Sequence, residues 1–154
     1  MVITKKVEFL IDNEIFKLIL INEKDLVLVS SLTLKVSSET DLVFLGFIKH
    51  IRIENLDISD IKNLSFLFQQ MYKTETIELK NFDTRKVTNF AAMFKDCSNL
   101  KKLTISEIKT DNAITFEEMF LGCTSLENLD LNHFKIDNVS NFKAMFESCK
   151  NLKD

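Results

Sequence analysis

Three cysteines, two histidines and a few adjacent carboxylates are the residues of this chain whose types bear on catalysis or metal binding. Cys97, Cys123 and Cys149 follow one another at a step of 26 residues. Structural zinc sites draw thiolates in close pairs from one short loop, because four ligands must converge on a tetrahedron, and this spacing offers no such pair. An odd number of thiols cannot pair completely. In-register side chains on strands about 4.8 Å apart also hold their Cβ atoms slightly too far apart for a disulfide. Buried, reduced thiols are therefore the expected state, with a disulfide or a bound metal as the lesser alternatives. His50 and His133 are the only imidazoles and lie far apart in the sequence, without a repeating acid or cysteine beside either. A Ser/His/Asp or Cys/His arrangement has no footing here. Glu117 and Glu118 read as solvated surface rather than as an acid/base pair. No residue is assigned to catalysis, to a cofactor or to a metal, and the chain is expected not to be an enzyme.

The step of 26 is the stronger signal. Phe82 opens FDTRKVTNFAAMFKDCSNLKKLTIS, Ile108 opens IKTDNAITFEEMFLGCTSLENLDLN and Phe134 opens FKIDNVSNFKAMFESCKNLKD. Phe90, Phe116 and Phe142 fall in register, as do Met93, Met119 and Met145, then Phe94, Phe120 and Phe146, and Leu100, Leu126 and Leu152. A fainter copy precedes them at Leu56, Ile61, Leu64, Leu67, Phe68, Ile77 and Leu79, with Met71 in the cysteine slot. Internal repeats of this length mean that each unit buries its apolar side against the next.

Two periodicities alternate within each copy. Val87, Phe90 and Phe94 have helical spacing, which predicts a short helix, with Thr88 and Ser140 as N-caps and Thr115 with Glu118 as a capping box. Gly122 sits where that helix should stop in a left-handed residue; Asp96, Ser148 and Gln70 hold the same slot elsewhere. Leu100-Lys-Lys-Leu-Thr-Ile and Leu126-Glu-Asn-Leu-Asp-Leu then alternate, which predicts strands. The expected fold is an α/β repeat, a right-handed leucine-rich-repeat-type solenoid of about four copies over residues 50–154, the last incomplete, with four parallel strands between 50 and 132. Residues 1–49 fall outside the period. Val7–Ile11 and Ile15–Ile21 around Asp12-Asn-Glu14 predict a hairpin, and Asp25–Ser31 with Leu32–Val36 add strand-like runs, so the segment reads as a β-rich N-terminal cap.

Composition agrees with a packed domain of this size. At 154 residues, 45% hydrophobic and 28% charged, the chain is globular rather than disordered. Fourteen Phe against one Tyr and no Trp points to core filling, since Phe has no polar tip. Two glycines and no proline leave no phosphate-cradling loop, and a net charge of −3 argues against a dedicated nucleic-acid surface. No apolar span is long enough to cross a membrane as a helix. No apolar run follows the lysines of Met1-Val-Ile-Thr-Lys-Lys, so the chain is expected to be cytoplasmic if Met1 is its native start, and secreted or on the cell surface if an export signal has been removed.

The strong copies resemble the BspA-like family of bacterial leucine-rich repeats, in its 26-residue surface-protein subtype. The run F-D-T-x-x-V-T-x-(F/M)-x-x-M-F-x-x-C-x-x-L-x-x-L-x-(L/I) is matched throughout by Phe82–Ile105; the copy from Ile108 departs at its opening residue and at Ala113. The resemblance spans roughly residues 56–154 and implies adhesion and protein binding.

On this reading the informative surface is the outer side of the strands. With Ile51/Ile53, Ile77/Leu79, Leu103/Ile105 and Leu129/Leu131 pointing inward, Arg52, Glu78, Thr104 and Asp130 point outward. His50, Thr76, Lys102 and Asn128 flank them on one side, and Glu54, Lys80, Ser106 and Asn132 on the other. Arg52, Glu78, Lys102, Thr104, Asn128 and Asp130 are the candidate partner-binding residues. The partner class is another protein or protein complex. One alternative is a small intracellular inhibitor from a mobile element that binds a macromolecular complex sterically, with or without a nucleic-acid component. The other is a fragment of a surface adhesin. Nucleic-acid contact through Arg85-Lys86 and Lys101-Lys102 is a weaker alternative, because the next copy has Asp111-Asn112 at the Arg85-Lys86 turn. A rival surface is the open last copy, Asn141–Asp154, through which two chains could cover each other as a homodimer.

Overall fold

The computed structural model describes residues 5–11, 14–22, 25–29, 49–54 and 58–153, with backbone placement alone for 5–29 and Glu54. The strand-like run 32–36, the hairpin tip at Asp12 and Asn13, and Leu56 lie outside the described residues. Six strands form one open sheet in chain order: β1 Lys5–Ile11, β2 Glu14–Asn22, β3 Asp25–Val29, β4 His50–Glu54, β5 Thr76–Lys80 and β6 Lys102–Thr104. β1 and β2 pair antiparallel from Lys5 opposite Leu20 to Ile11 opposite Glu14, and β2 pairs antiparallel with β3. From β3 onward the pairing is parallel. Ile51 lies opposite Ile77 and Ile77 opposite Leu103, so one 26-residue step in sequence becomes one step across the sheet. Alternation sets the faces: Ile51, Ile53, Ile77, Leu79 and Leu103 are buried, whereas Arg52 and Lys102 are exposed.

The parallel part within the repeated region has three strands, not the expected four. Residues 128–132 are not a strand, and Leu129 and Leu131 are only half-buried. The cause is local: Asp130 Oδ1 accepts the N–H of Asn132 at 3.0 Å, an Asx turn that competes with ladder formation. Arg52, Glu78 and Thr104 hold that position in the earlier copies, and there the backbone pairs in the ladder.

The expected helices are also absent: among the described residues there is no helix. Each segment of helical spacing folds instead into consecutive tight turns joined to the neighbouring copy. From Thr88 to Cys97 every N–H finds an acceptor, but alternate ones look in different directions. Phe90, Ala92, Phe94 and Asp96 donate to the carbonyls of Thr115, Glu117, Met119 and Leu121 in the next copy. Met93, Lys95 and Cys97 donate three residues back, and Ala91 donates to the side chain of Asn89. The same row links Leu64, Phe66, Phe68 and Gln70 to the second copy, and Phe116, Glu118, Phe120 and Gly122 to the fourth. Helix and turn row both satisfy the backbone, but only the row also fastens one copy to the next.

The turns require left-handed residues. Phe66, Ala92, Glu118 and Ala144 form one such column, with φ of 63°, 53°, 55° and 54°, and Gln70, Asp96, Gly122 and Ser148 another, at 61°, 60°, 76° and 62°. Gly122 is thus left-handed as expected, but at the third position of a tight turn rather than at a helix end. The expected N-caps and capping box are replaced accordingly. Thr88 and Ser140 donate their N–H groups to carbonyls of the preceding copy, Thr115 Oγ1 accepts from Glu117 N–H at 3.1 Å, and the Glu118 carboxylate pairs with Lys95 at 2.6 Å.

The core lies between sheet and turn row. Phe68, Phe94, Phe120 and Phe146 form a stack with ring centroids 5.5, 5.6 and 5.6 Å apart and nearly parallel planes. A second, tilted column runs through Phe90, Phe116 and Phe142. Phe94, Phe120, Met93 and Met119 are fully buried between neighbouring copies, whereas Phe142 and Phe146 on the outer face of the fourth copy are exposed.

Candidate functional site

The cysteines line up beside the Phe stack. The Sγ groups of Cys97, Cys123 and Cys149 donate to the carbonyls of Phe68, Phe94 and Phe120 at 3.0, 3.2 and 3.1 Å. Cys97 and Cys123 are buried; Cys149, in the outermost copy, is half-buried, so the expected uniform burial fails at that one position. The neighbouring Cys97 and burial push the Cys123 thiol up, and burial pushes that of Cys149 up to about 11. These thiols pack, and they donate to a carbonyl that would otherwise lack a second partner.

A pH dependence follows. The unfolded chain loses its thiol protons near the ordinary value of 9.0, whereas folded Cys149 holds its proton to about 11. Folded-state stability carried by the thiols is present below pH 9 and lost as pH rises towards 11, because the unfolded state then binds fewer protons. Urea unfolding between pH 8 and pH 11 should show this decline, and replacing Cys149 by Ala should make it shallower while leaving the part that the raised Cys123 thiol contributes. A stability unchanged through pH 11 in the wild-type chain would exclude the protonated, hydrogen-bonded thiol column.

The imidazoles are not brought together. His50 Nδ1 lies 2.9 Å from Thr76 Oγ1 on the strand face, whereas His133 packs edge-on to Phe134, its buried Nε2 without a protein partner. Among the described residues no group of three or more His, Cys, Asp or Glu could hold a metal ion, and no helix is long and apolar enough to cross a membrane.

The strand face brings part of the candidate set into one line. Arg52 lies opposite Glu78 and Glu78 opposite Thr104, and Thr76 lies opposite Lys102 in the adjacent line. Glu78 is shared between Arg52 at 3.5 Å and Lys80 at 3.3 Å. Asn128 and Asp130 are exposed but lie beyond the last strand, outside the paired sheet.

The basic residues at the turns are already engaged. Arg85 grips Asp83 with Nε and Nη2 at 2.9 and 2.7 Å, which holds the Asp83 carboxyl below its usual range. Lys86 reaches Asp60 in the previous copy at 2.8 Å, Lys101 reaches Glu75 at 3.0 Å, and Lys135 bonds Asp111. Sequence reasoning missed a further device. Thr84 Oγ1 donates to the Lys109 carbonyl at 2.7 Å and accepts the Lys109 N–H at 2.7 Å; Thr110 clamps Lys135 in the same way. The signal was the Thr of the F-D-T run, buried in both cases.

An open sheet with a parallel run, stepped at 26 residues and backed by stacked Phe rings, makes the described part of the chain a β protein. The chain belongs to the DUF285 family, described as Mycoplasma protein of unknown function, whose family model matches residues 41–154. No curated protein and no solved structure matches the chain.

Proposed function

We propose that this chain is a protein-binding module without catalytic activity, built as a right-handed leucine-rich-repeat-type solenoid of the BspA-like 26-residue subtype and capped by residues 1–49. The match to the DUF285 family is compatible with that subtype. The observation that carries the reading is the contrast across the sheet. Beneath it the side chains keep one character, Ile51, Ile77 and Leu103; above it they change at every step, from Arg52 to Glu78 to Thr104. A constant core under a varied polar face suits a surface fitted to a partner, and Lys102, Asn128 and Asp130 extend it. Pairing of Arg85, Lys86, Lys101 and Lys135 with carboxylates weighs against nucleic acid, whose binding needs cations free to displace counterions.

The test exchanges charges without breaking the internal pairs: Arg52→Glu with Glu78→Arg and Lys80→Glu, together with Lys102→Glu and Asp130→Lys. Surface changes of this kind should move stability by about 0.5 kcal/mol or less. Wild-type and exchanged chains are immobilised and challenged with the same cell extract. Proteins retained by the wild type should be lost from the exchanged chain while its unfolding midpoint holds. Identical retention by both chains, or retention on immobilised RNA that falls steeply with salt, would sink the reading.

A further inference from the structure

One column at the start of the strands alternates in sign from copy to copy: Lys49, Glu75, Lys101, Glu127 and Lys153. Lys49 meets Glu75 at 3.0 Å, Lys101 meets Glu75 at 3.0 Å, and Lys153 meets Glu127 at 2.9 Å. The step from Lys101 to Glu127 is not bridged, although the signs suit. The backbone skips the same step. Glu75 N–H donates to Lys49 O at 2.7 Å, Lys101 N–H to Glu75 O at 2.8 Å and Lys153 N–H to Glu127 O at 3.0 Å. Among the described residues, no backbone bond joins 127–131 to 101–105. The core beneath is less covered there: Leu103 is 8% exposed against 1% for Ile51 and Ile77, and Leu129 and Leu131 are half-buried.

The other side of this junction is closed. Phe90, Ala92, Phe94 and Asp96 donate to the carbonyls of Thr115, Glu117, Met119 and Leu121 at 3.2, 2.8, 2.9 and 2.7 Å. The Ser98 carbonyl accepts the hydroxyls of Thr124 and Ser125 at 3.0 and 2.6 Å. The second and third copies are thus tied along the turn row and untied along the strands.

We infer that this junction is a hinge, with the turn row as its pivot and a seam between β6 and residues 127–131 that opens and closes. Closing adds a strand to the ladder, sets Leu129 opposite Leu103 and brings Glu127 to Lys101. The latch that holds it open is the Asx turn, in which Asp130 Oδ1 takes the Asn132 N–H at 3.0 Å. Thr104 occupies that position in the second copy, and its backbone pairs with Glu78. Closing exchanges the latch bond for ladder bonds of similar net strength, so the two states lie close in free energy. The exposed Lys101–Glu127 pair adds little and serves as a marker of closure. In the closed state Asn128 and Asp130 join the lines of Lys102 and Thr104, so a partner gripping the whole strand face would hold the seam shut. That last consequence alone rests on the protein-binding reading; the hinge is tested without a partner.

The experiment is NMR on the isotope-labelled full chain. Amide hydrogen exchange across residues 127–131 should run at least tenfold faster than across 75–79, as expected of a segment outside the ladder. Relaxation dispersion, which reads motion on the μs–ms scale, should appear at Leu103 and Leu129 and be absent at Ala92 and Phe94 on the pivot. Asp130→Thr removes the latch and should abolish the dispersion and slow exchange across 127–131 at least tenfold. Asp130→Asn keeps an Asx acceptor without the charge and should behave as the wild type. The wild-type measurements stand whether or not either variant folds. Exchange across 127–131 as slow as across 75–79, no dispersion at the seam, or dispersion that reaches Ala92 and Phe94 would overturn the proposal. So would an Asp130→Thr chain in which 127–131 stay unprotected.

Discussion

Replacing Phe94 by Ala should lower the free energy of unfolding by about 3–5 kcal/mol, the range for emptying an aromatic site in a packed core. The ring is fully buried, stacked between Phe68 at 5.5 Å and Phe120 at 5.6 Å, so its loss opens a gap in the middle of a column rather than at its end. Neither neighbour can collapse into the gap without breaking the backbone bonds that hold its own copy in register, among them Phe68 N–H to Met93 O at 2.8 Å and Phe94 N–H to Met119 O at 2.9 Å. The same change at Phe146, which has a single stacked neighbour and one face open, should cost less than half as much. Urea unfolding of the two variants and of Phe94→Leu, which keeps most of the volume and should fold even if Phe94→Ala does not, measures the difference. A loss below about 1 kcal/mol at Phe94 would show that the rings are not stacked in a closed core.

Gly122→Ala should cost about 1–2 kcal/mol or more, although it adds a single methyl group. Two effects act in the same direction. The backbone at Gly122 has φ of 76°, where a Cβ crowds its own carbonyl, and a Cβ built there lies 2.5 Å from Asp96 Oδ1 and 3.4 Å from Asp96 Cα. The carboxylate can swing aside; the Asp96 backbone is fixed by its bond to Leu121 O at 2.7 Å. The converse replacement at the same slot in the fourth copy, Ser148→Gly, should be neutral or slightly stabilising, because relief at φ of 62° offsets the greater freedom of glycine when unfolded. Opposite or near-zero responses at both sites, measured by denaturant midpoints, would mean that the turns do not need left-handed residues.

How much of the molecule is legible in its sequence depends on whether the governing interaction is local. The register of Phe90, Phe116 and Phe142, the strands at Ile51, Ile77 and Leu103, and the facing of Arg52 towards Glu78 all follow from a period and an alternation visible in the letters. The helix does not survive, because apolar residues at the spacing of Val87, Phe90 and Phe94 satisfy a turn row as well as a helix. What separates them is where the N–H groups of Ala92 and Asp96 find acceptors, 25 residues further on at Glu117 and Leu121. No local propensity records that choice. The loss of the fourth strand is the opposite case: a local Asx turn at Asp130 overrides a pattern inherited from the copies before it. The strand-face candidates are readable as positions, but the ion pairs that engage Lys86 with Asp60 and Lys101 with Glu75 become visible only when residues one copy apart stand side by side.

The one-way row of N–H to carbonyl bonds also makes this part of the molecule an electrical object. Aligned peptide dipoles add, and in a helix they add along a single segment. Here they add from copy to copy, across segments far apart in sequence, with the positive pole on the side of Phe142 and Ser148. Each added copy therefore lengthens the dipole while the charge at the pole stays fixed by the terminal N–H groups, so chains with more or fewer copies would differ in dipole moment and not in the strength of that pole.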